Sequence, residues 1–289
     1  MLRWFVSCVT CAMIVGLLAV PAALKADRKV VFSYRDRSGD DVGPGTYVYP
    51  TDDSFSPHRR LLDLTLFQVA LENDYIVFSF TFGALANPWN APEGFYHPRI
   101  DLFIDSDPSQ GRTEPLRPGP GDSVRFDPRH PWDMWLRIAP WDGAALFSYQ
   151  DDPESSGRQQ GIHVAVANDG KTIQVSVPQH LMPLPQSDWR YYVIIGSFDA
   201  LGVDGYRQVV PEPSRWLIGG ASEHATSRIV DLAAPSFGRT QARQLNPPRG
   251  NLIVLYPIAS PSIAWYWPLL ILSVVMPLLW ALIRRNRGT

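Results

Sequence analysis

The chain has 289 residues, with 26 Lys and Arg against 28 Asp and Glu, and only two cysteines. Between its apolar ends, residues 27–262 hold 21 of the basic residues and all 28 acidic ones, a net charge of −7. This excess of acid argues against nucleic-acid binding, which requires a basic face. Cys8 and Cys11 both precede residue 27, so the rest of the chain has no cysteine to form a disulfide.

The N-terminal segment has the layout of a secretory signal peptide. Arg3 is followed by an uncharged apolar run from Trp4 to Val20, and small residues then lead to a cleavage site at Leu24-Lys25-Ala26. A basic start, an apolar stretch and a small-residue cleavage site are the three parts of an export signal. We therefore predict that residues 1–26 are a signal peptide, with an uncleaved N-terminal anchor as the alternative.

The central part of the chain consists of short segments with β-strand character, separated by turn residues. The predicted strands are Val30–Tyr34, Asp63–Leu71, Tyr75–Phe82, Arg99–Asp105, Met134–Ala139, Ala144–Tyr149, Ile162–Ala167, Lys171–Val177, Arg190–Phe198 and a last one at Leu252–Tyr256. Asn168-Asp169-Gly170 lies between two of them and is typical of a hairpin turn. The pattern predicts an all-β protein, an antiparallel β-sandwich of one domain over residues 27–258. The long predicted loops, where function usually resides, are 36–60, 83–98, 106–132 and 199–250.

The first long loop carries a dense set of carboxylates. Asp36, Asp40 and Asp41 fall close together and are interleaved with glycines. Calcium prefers oxygen ligands from carboxylates and carbonyls on adaptable loops of this kind. The loop therefore predicts a calcium site. The alternative is that these aspartates only form turns and cap strand ends in contact with solvent.

A second acidic set lies on a predicted strand. Because side chains alternate along a strand, Leu102 and Ile104 are expected to face the core, with Asp101 and Asp105 on the opposite face. The spacing does not match an EF-hand loop. The same two interpretations, metal ligand or solvated aspartate, therefore apply to this set.

Tryptophan in a predicted loop indicates a ligand surface. A sugar ring presents an apolar face of C–H groups and a rim of hydroxyls, which an exposed indole and nearby amides complement. Trp89 lies in the 83–98 loop and is flanked by Asn87 and Asn90, so we predict that these three residues contact a ligand. Trp135 alternates with apolar neighbours on a predicted strand and is expected to fill the core instead.

The C-terminal segment has the character of a membrane span. Residues 263–283 contain no charged side chain. As a helix, this segment is long enough to cross a hydrocarbon core of roughly 30 Å. Arg284, Arg285 and Arg287 follow at once, and the positive-inside bias places such a tail in the cytoplasm. We predict one transmembrane helix at 263–283, a cytoplasmic tail at 284–289, and a single-pass membrane protein whose N-terminal domain is extracytoplasmic, at the cell surface or in the periplasm.

Motifs for catalysis are absent from the sequence. It has no Gly-x-Ser-x-Gly elbow, no His-Glu-x-x-His and no glycine-rich phosphate loop, and its histidines are scattered without metal-ligand spacing. The less favoured alternative to a sugar ligand is haem b, for which Met134, Met182, His163 and His180 are the available axial donors. A scaffold that binds another protein is a further alternative.

Several motifs resemble those of a known family. These are Gly39-Asp40-Asp41, Gly43-Pro44-Gly45, Tyr47, Tyr49-Pro50, Asp63-Leu64, Phe67, Asn87-Pro88-Trp89-Asn90, Gly94-Phe95, Gly205-Tyr206-Arg207, Trp216, Gly219-Gly220 and Asp231-Leu232-Ala233-Ala234-Pro235. In order and spacing they resemble the C-terminal binding-module domain of glucodextranase, which also occurs on amylopullulanases. One departure is Arg37, where that family usually has proline.

The resemblance implies a DOMON-like sandwich, similar to the family-nine carbohydrate-binding modules. Domains of that class bind sugars, some with structural calcium, while relatives bind b-type haem. We therefore predict a non-catalytic, membrane-anchored module that binds carbohydrate, either an α-glucan or a glycan of the cell envelope.

Overall fold

A computed structural model of the chain describes residues 28–56, 59–116, 119–121, 123–152, 155–222 and 227–260. The predicted signal peptide (1–26), transmembrane helix (263–283) and cytoplasmic tail (284–289) lie outside these residues. Within the part of the chain that is described, no helix is both long and apolar enough to cross a membrane.

The described residues form strands joined by turns and irregular loops. The strands are β1 (Arg28–Arg35), β2 (Leu64–Glu72), β3 (Tyr75–Phe82), β4 (Pro98–Asp105), β5 (Val124–Phe126), β6 (Met134–Ala139), β7 (Gly143–Ser148), β8 (His163–Val166), β9 (Thr172–Pro178), β10 (Arg190–Ser197), β11 (Asp231–Leu232), β12 (Ile253–Leu255) and β13 (Ile258–Ala259). Among the residues that the structure describes, helical structure is limited to α1 (Gln241–Leu245) and the 3-10 turns Asp53–Phe55, Gln179–Leu181 and Val203–Gly205. The all-β prediction is therefore confirmed.

The first sheet has the order β1-β2-β3-β9-β8, and all of its neighbours are antiparallel. The predicted hairpin turn joins β8 to β9. There the amide of Gly170 donates to the carbonyl of Ala167 at 3.0 Å, with Gly170 at φ 69°. The carboxylate of Asp169 accepts from the amides of Lys171 and Thr172, both at 2.9 Å. The turn residues thus set the register of this edge of the sheet.

The second sheet has the order β11-β10-β4-β6-β7, and β13 pairs with the start of β10. Its neighbours are antiparallel as well. Leu102 and Ile104 of β4 share one hydrophobic core with Val69 of β2 and Phe78 of β3, so the core lies between the two sheets. Two antiparallel sheets around a shared core are consistent with a β-sandwich.

The outer face of the second sheet is buried as well. Phe103, Trp135 and Tyr192 point away from the first core and form a second apolar cluster with residues of β5 and β12, which pair in parallel. Two predicted loops, 106–132 and 199–250, therefore contain the short strands β5 and β11, and the second also contains α1. The strands β5 and β12 and the helix α1 cover this face, whereas β11 is the edge strand of the sheet itself.

The buried outer face changes the interpretation of the second acidic set. Asp101 is fully buried and Asp105 nearly so. They lie on the face opposite Leu102, as predicted, but the idea that they are solvated is wrong. Asp101 accepts hydrogen bonds from the Trp135 indole at 2.8 Å and from the Tyr206 hydroxyl. The layer of loops and short strands over this face removes both carboxylates from water.

Candidate functional site

Four aromatic side chains form a continuous surface at one end of the second sheet, and we call Trp89, Tyr96, Trp141 and Trp216 the aromatic platform. The centroid of the Tyr96 ring lies 4.1 Å from that of Trp89 and 5.5 Å from that of Trp141. The Trp89 ring lies 6.1 Å from that of Trp216. The three indoles are exposed by 41% (Trp89), 47% (Trp141) and 37% (Trp216). Of the three, only Trp89 is predicted from the sequence as a ligand contact. Exposed apolar patches of this kind mark interaction sites.

The strand pairing explains why these residues meet. The end of β10 pairs with the start of β4, at Ser197 and Pro98, and the end of β6 pairs with the same part of β4, at Ile138 and Ile100. The segments that follow β6 and β10, and the segment between β3 and β4 that leads into the start of β4, therefore meet at the same end of the second sheet. Each of them contributes at least one member of the platform.

Trp89 is held by a tightly bonded turn. The side chain of Asn87 accepts from the amide of Ala91 at 2.8 Å and donates to its carbonyl at 2.9 Å. Each end of the Asn87 amide thus makes one bond that shapes the loop, so this residue supports Trp89, and its contact with a ligand stays a prediction. Asn90 is exposed, with a left-handed φ of 55°, and stays a predicted ligand contact.

Trp141 occupies the turn between β6 and β7. Its backbone has a left-handed φ of 61°, and its amide donates to Oε2 of the buried Glu93 at 2.9 Å. A bulky residue at positive φ is uncommon and requires support from its surroundings. The bond to Glu93 supplies that support and ties this turn to the loop that carries Trp89.

Trp216 is held through its backbone and its ring. The guanidinium of the buried Arg207 donates to the carbonyl of Trp216 at 2.6 Å and to that of Phe198 at 2.8 Å. Arg215 lies 5.3 Å from the Trp216 ring centroid and donates to Asp52 at 2.8 Å. These bonds connect the platform to the end of β10 and to the segment before the first 3-10 turn.

A cleft of about 470 Å³ adjoins the platform at Trp141. Its lining includes the charged side chains of Arg137, Asp142 and Asp204. Burial lowers the pKa of Arg137, and the neighbouring Arg99 acts in the same direction. The cleft therefore places hydrogen-bond donors and acceptors of both charges beside an exposed indole.

The acidic loop forms a second feature, distinct from the platform. Carboxylate oxygens of Asp36, Asp40 and Asp231 lie within 4.8 Å of one another, and we call these three residues the acidic cluster. The structure groups Asp36 and Asp40 as predicted, but their third neighbour is Asp231 of β11 rather than Asp41. The Asp41 carboxylate instead accepts from the hydroxyl of Tyr49.

The acidic cluster is short of compensating groups. Burial, and then the charge of Asp40, raise the pKa of Asp36 to about 8. Burial is also the main reason that the pKa of Asp40 rises to about 6. Burial and the charge of Asp36 raise the pKa of Asp231. A carboxyl group kept from water and placed beside others resists ionisation unless a cation compensates its charge.

A comparison with protein-family models identifies the family of this chain. A family model described as the C-terminal binding-module, SLH-like, of glucodextranase covers residues 31–257. The chain belongs to this family. A search of curated proteins found no match.

Membership confirms the resemblance that the sequence motifs indicated. The matched family is described as a C-terminal binding module of glucodextranase, which is distinct from a catalytic domain. The chain is therefore a non-catalytic module, which agrees with the lack of catalytic motifs. The candidate binding features of this module are the aromatic platform and the acidic cluster.

Some residues of the aromatic platform and of the acidic cluster were not predicted as site residues from the sequence. Trp141 carried a usable signal, because Pro140-Trp141-Asp142-Gly143 between two strands is typical of a turn, and a turn exposes its side chains. Asp231 stands in one of the motifs that resemble the family, but nothing in the sequence connects it to Asp36, because the two are distant along the chain and Asp231 lies on a strand of two residues.

The donors considered for haem are distributed differently. Met134 and Met182 are packed in the core between the sheets, whereas the side chains of His163 and His180 are exposed. Nothing in this arrangement favours the haem alternative over a ligand on the platform.

Proposed function

We propose that this chain is a glycan-binding module that uses the aromatic platform to hold its ligand. The observation that carries the proposal is the set of three adjacent indoles, Trp89, Trp141 and Trp216, each more than a third exposed. Contact between these apolar ring faces and water is unfavourable. A ligand with an apolar face therefore gains free energy by covering them. Sugar rings have such a face. The family to which the chain belongs is a binding module of glucodextranase, which supports this class of ligand.

The polar surroundings of the platform suit the hydroxyl rim of a sugar. Arg215 lies beside the Trp216 ring, and Arg137 and Asp142 lie in the cleft beside Trp141. Ligand sites of small molecules combine apolar faces with a few polar groups that fix orientation. Both components are present here.

The platform is also held in place before any ligand arrives. Glu93 fixes the turn of Trp141, Arg207 fixes the backbone of Trp216, and Asn87 closes the turn of Trp89. Groups that are already ordered lose little conformational entropy on binding, which favours affinity.

Titration calorimetry with soluble α-glucan oligosaccharides and with envelope glycan fragments tests the proposal. We expect Trp89→Ala to weaken binding about 5- to 30-fold, since a stacked aromatic contact and its buried area are together worth about 1–2 kcal/mol. Phe237→Ala is the matched control, because Phe237 is 91% exposed and lies outside the platform. No measurable heat with any glycan, or equal losses in both variants, would refute the assignment.

We further propose that the module, a DOMON-like sandwich, is displayed outside the cytoplasm on the helix at 263–283. The uncharged length of this segment, the arginines after it and the export signal at 1–26 support this topology. Cells that express the full chain are expected to retain it in the membrane fraction through a carbonate wash. A chain that ends at residue 262 is expected in the soluble extracytoplasmic fraction, and its retention in the membrane would contradict the proposal.

A further inference from the structure

The acidic cluster has oxygen atoms that no protein group satisfies. Oδ2 of Asp36 and Oδ1 of Asp40 are buried and accept no hydrogen bond within the described part of the chain. Asp36 as a whole is only 8% exposed. Buried polar atoms in folded proteins nearly always have a partner, so unsatisfied ones indicate an ion or water that completes them.

The charge of the cluster is compensated only in small part: burial raises the pKa of Asp40 by more than the charge of Arg37 lowers it. Among the residues that the structure describes, no Lys or Arg forms an ion pair with Asp36, Asp40 or Asp231. Three carboxylates within 4.8 Å of one another repel strongly when ionised. Either they retain protons near neutral pH or a cation lies between them.

The surroundings favour a cation that prefers oxygen. The Gln241 amide donates to the carbonyls of Asp40 and Gly43, which orients the loop backbone around the cluster. A cleft of about 250 Å³, lined by Asp40, Gly43 and Gln241 among others, gives access from solvent. Calcium takes carboxylate, carbonyl and water oxygens at roughly 2.3–2.6 Å in flexible geometry, so waters in this cleft can complete its shell.

We propose that Asp36, Asp40 and Asp231 bind one calcium ion. The ion joins the end of β1, the following loop and β11, three segments that are distant in sequence. It replaces the repulsion between the carboxylates with attraction to a shared cation. Asp41, which accepts from Tyr49, is not a ligand.

The ion also has a consequence for the platform, and this part of the inference rests on the proposed function. The loop that begins at Asp36 continues to Val48, which pairs with Gly219, and the amide of Thr51 donates to the carbonyl of Ser214 at 3.0 Å. These pairings flank Trp216. An ordered 36–47 segment therefore supports the loop that carries this indole.

Calcium titration of the chelator-treated full chain, without glycan, tests the site. We expect one calcium ion per chain by dialysis and metal analysis, and a higher melting temperature with calcium than with chelator. Asp40→Asn is the most informative variant, because its carboxylate makes no hydrogen bond to another described residue. It is expected to weaken calcium binding about tenfold or more. Asp41→Asn and the exposed Asp188→Asn are the controls and should leave calcium affinity unchanged.

The outcomes separate the alternatives. Absence of bound calcium in the wild-type chain would overturn the site whatever the variants do, and so would a loss in Asp41→Asn equal to that in Asp40→Asn. Magnesium that binds as tightly as calcium would overturn the choice of ion. Because glycan is absent, failure of this experiment leaves the glycan proposal intact, and failure of glycan binding leaves the calcium site intact.

Discussion

Nε of Arg215 donates a hydrogen bond to Oδ2 of Asp52 at 2.8 Å, and the same guanidinium lies 5.3 Å from the ring centroid of Trp216. Asp52 in turn accepts from the amide of Ser54 at 3.0 Å, at the start of the first 3-10 turn. One carboxylate therefore connects the segment after the acidic loop to the loop of an exposed indole. This contact joins residues that are distant in sequence and has consequences that can be measured.

Asp52→Asn is expected to lower the melting temperature in a pH-dependent way. The amide of Ser54 and then the guanidinium of Arg215 lower the pKa of Asp52 from its ordinary value of 3.8. A carboxylate with a lowered folded pKa stabilises the fold above its unfolded pKa, and this contribution is lost as pH falls through the folded value. The deficit of the variant should be constant from about pH 7 to pH 5 and shrink below 3.8. Thermal unfolding followed by circular dichroism checks this, and a deficit that grows in acid would contradict it.

Gly220→Ala is expected to damage both stability and glycan binding. Gly220 has φ +89°, and a Cβ there would lie 2.0 Å from the carbonyl oxygen of Thr46, which is backbone and cannot move aside cheaply. The cost should exceed the about 1–3 kcal/mol of an unfavourable φ alone. Gly170→Ala is the matched control, because Gly170 has φ +69° but open space around it. Denaturant unfolding that ranks the two variants equally would show that the pairing of the 46–48 and 219–220 segments is not essential.

Asp101→Asn is expected to cost about 3–5 kcal/mol of unfolding free energy, because it removes the carboxylate that forms an ion pair with the buried Arg99. The Arg99 guanidinium is 2% exposed and lies 3.3 Å from the Asp101 carboxylate. Tyr206→Phe removes only one donor to the same carboxylate and should cost about 1 kcal/mol. Denaturant titration of both variants is the measurement, and equal losses would mean that the ion pair contributes nothing beyond a neutral hydrogen bond.

Most of the strands could be predicted from the sequence because their apolar residues alternate and turn residues separate them. The prediction for β3 and β6 matches the structure to the residue. The strands β5 and β11 were missed because runs of three and two residues carry no periodicity. Long-range contacts such as that between Asp36 and Asp231 depend on how the sheets pack, which local pattern does not encode.

Trp135→Ala and Trp141→Ala should separate a core indole from a surface one. Trp135 is fully buried and stacks on Phe103 at 5.4 Å and on Phe147 at 4.5 Å. Its loss should cost about 3–5 kcal/mol because a cavity remains. Trp141→Ala should change the unfolding free energy by about 1 kcal/mol or less, since surface substitutions are usually mild. A large loss of stability in Trp141→Ala would identify that indole as a structural element.

Glycan affinity is expected to rise with ligand length until the glycan covers the platform. Tyr96 contacts the rings of both Trp89 and Trp141, and Trp216 contacts Trp89 from another loop, so the exposed indoles are adjacent but distinct. A single sugar can cover one indole, whereas a longer chain can reach a second and gain about 0.5–1.5 kcal/mol from that contact. Calorimetry on an oligosaccharide series should therefore show that Trp216→Ala reduces the affinity for long ligands more than for monosaccharides. An equal reduction for every length would contradict the idea that longer glycans extend across the platform to Trp216.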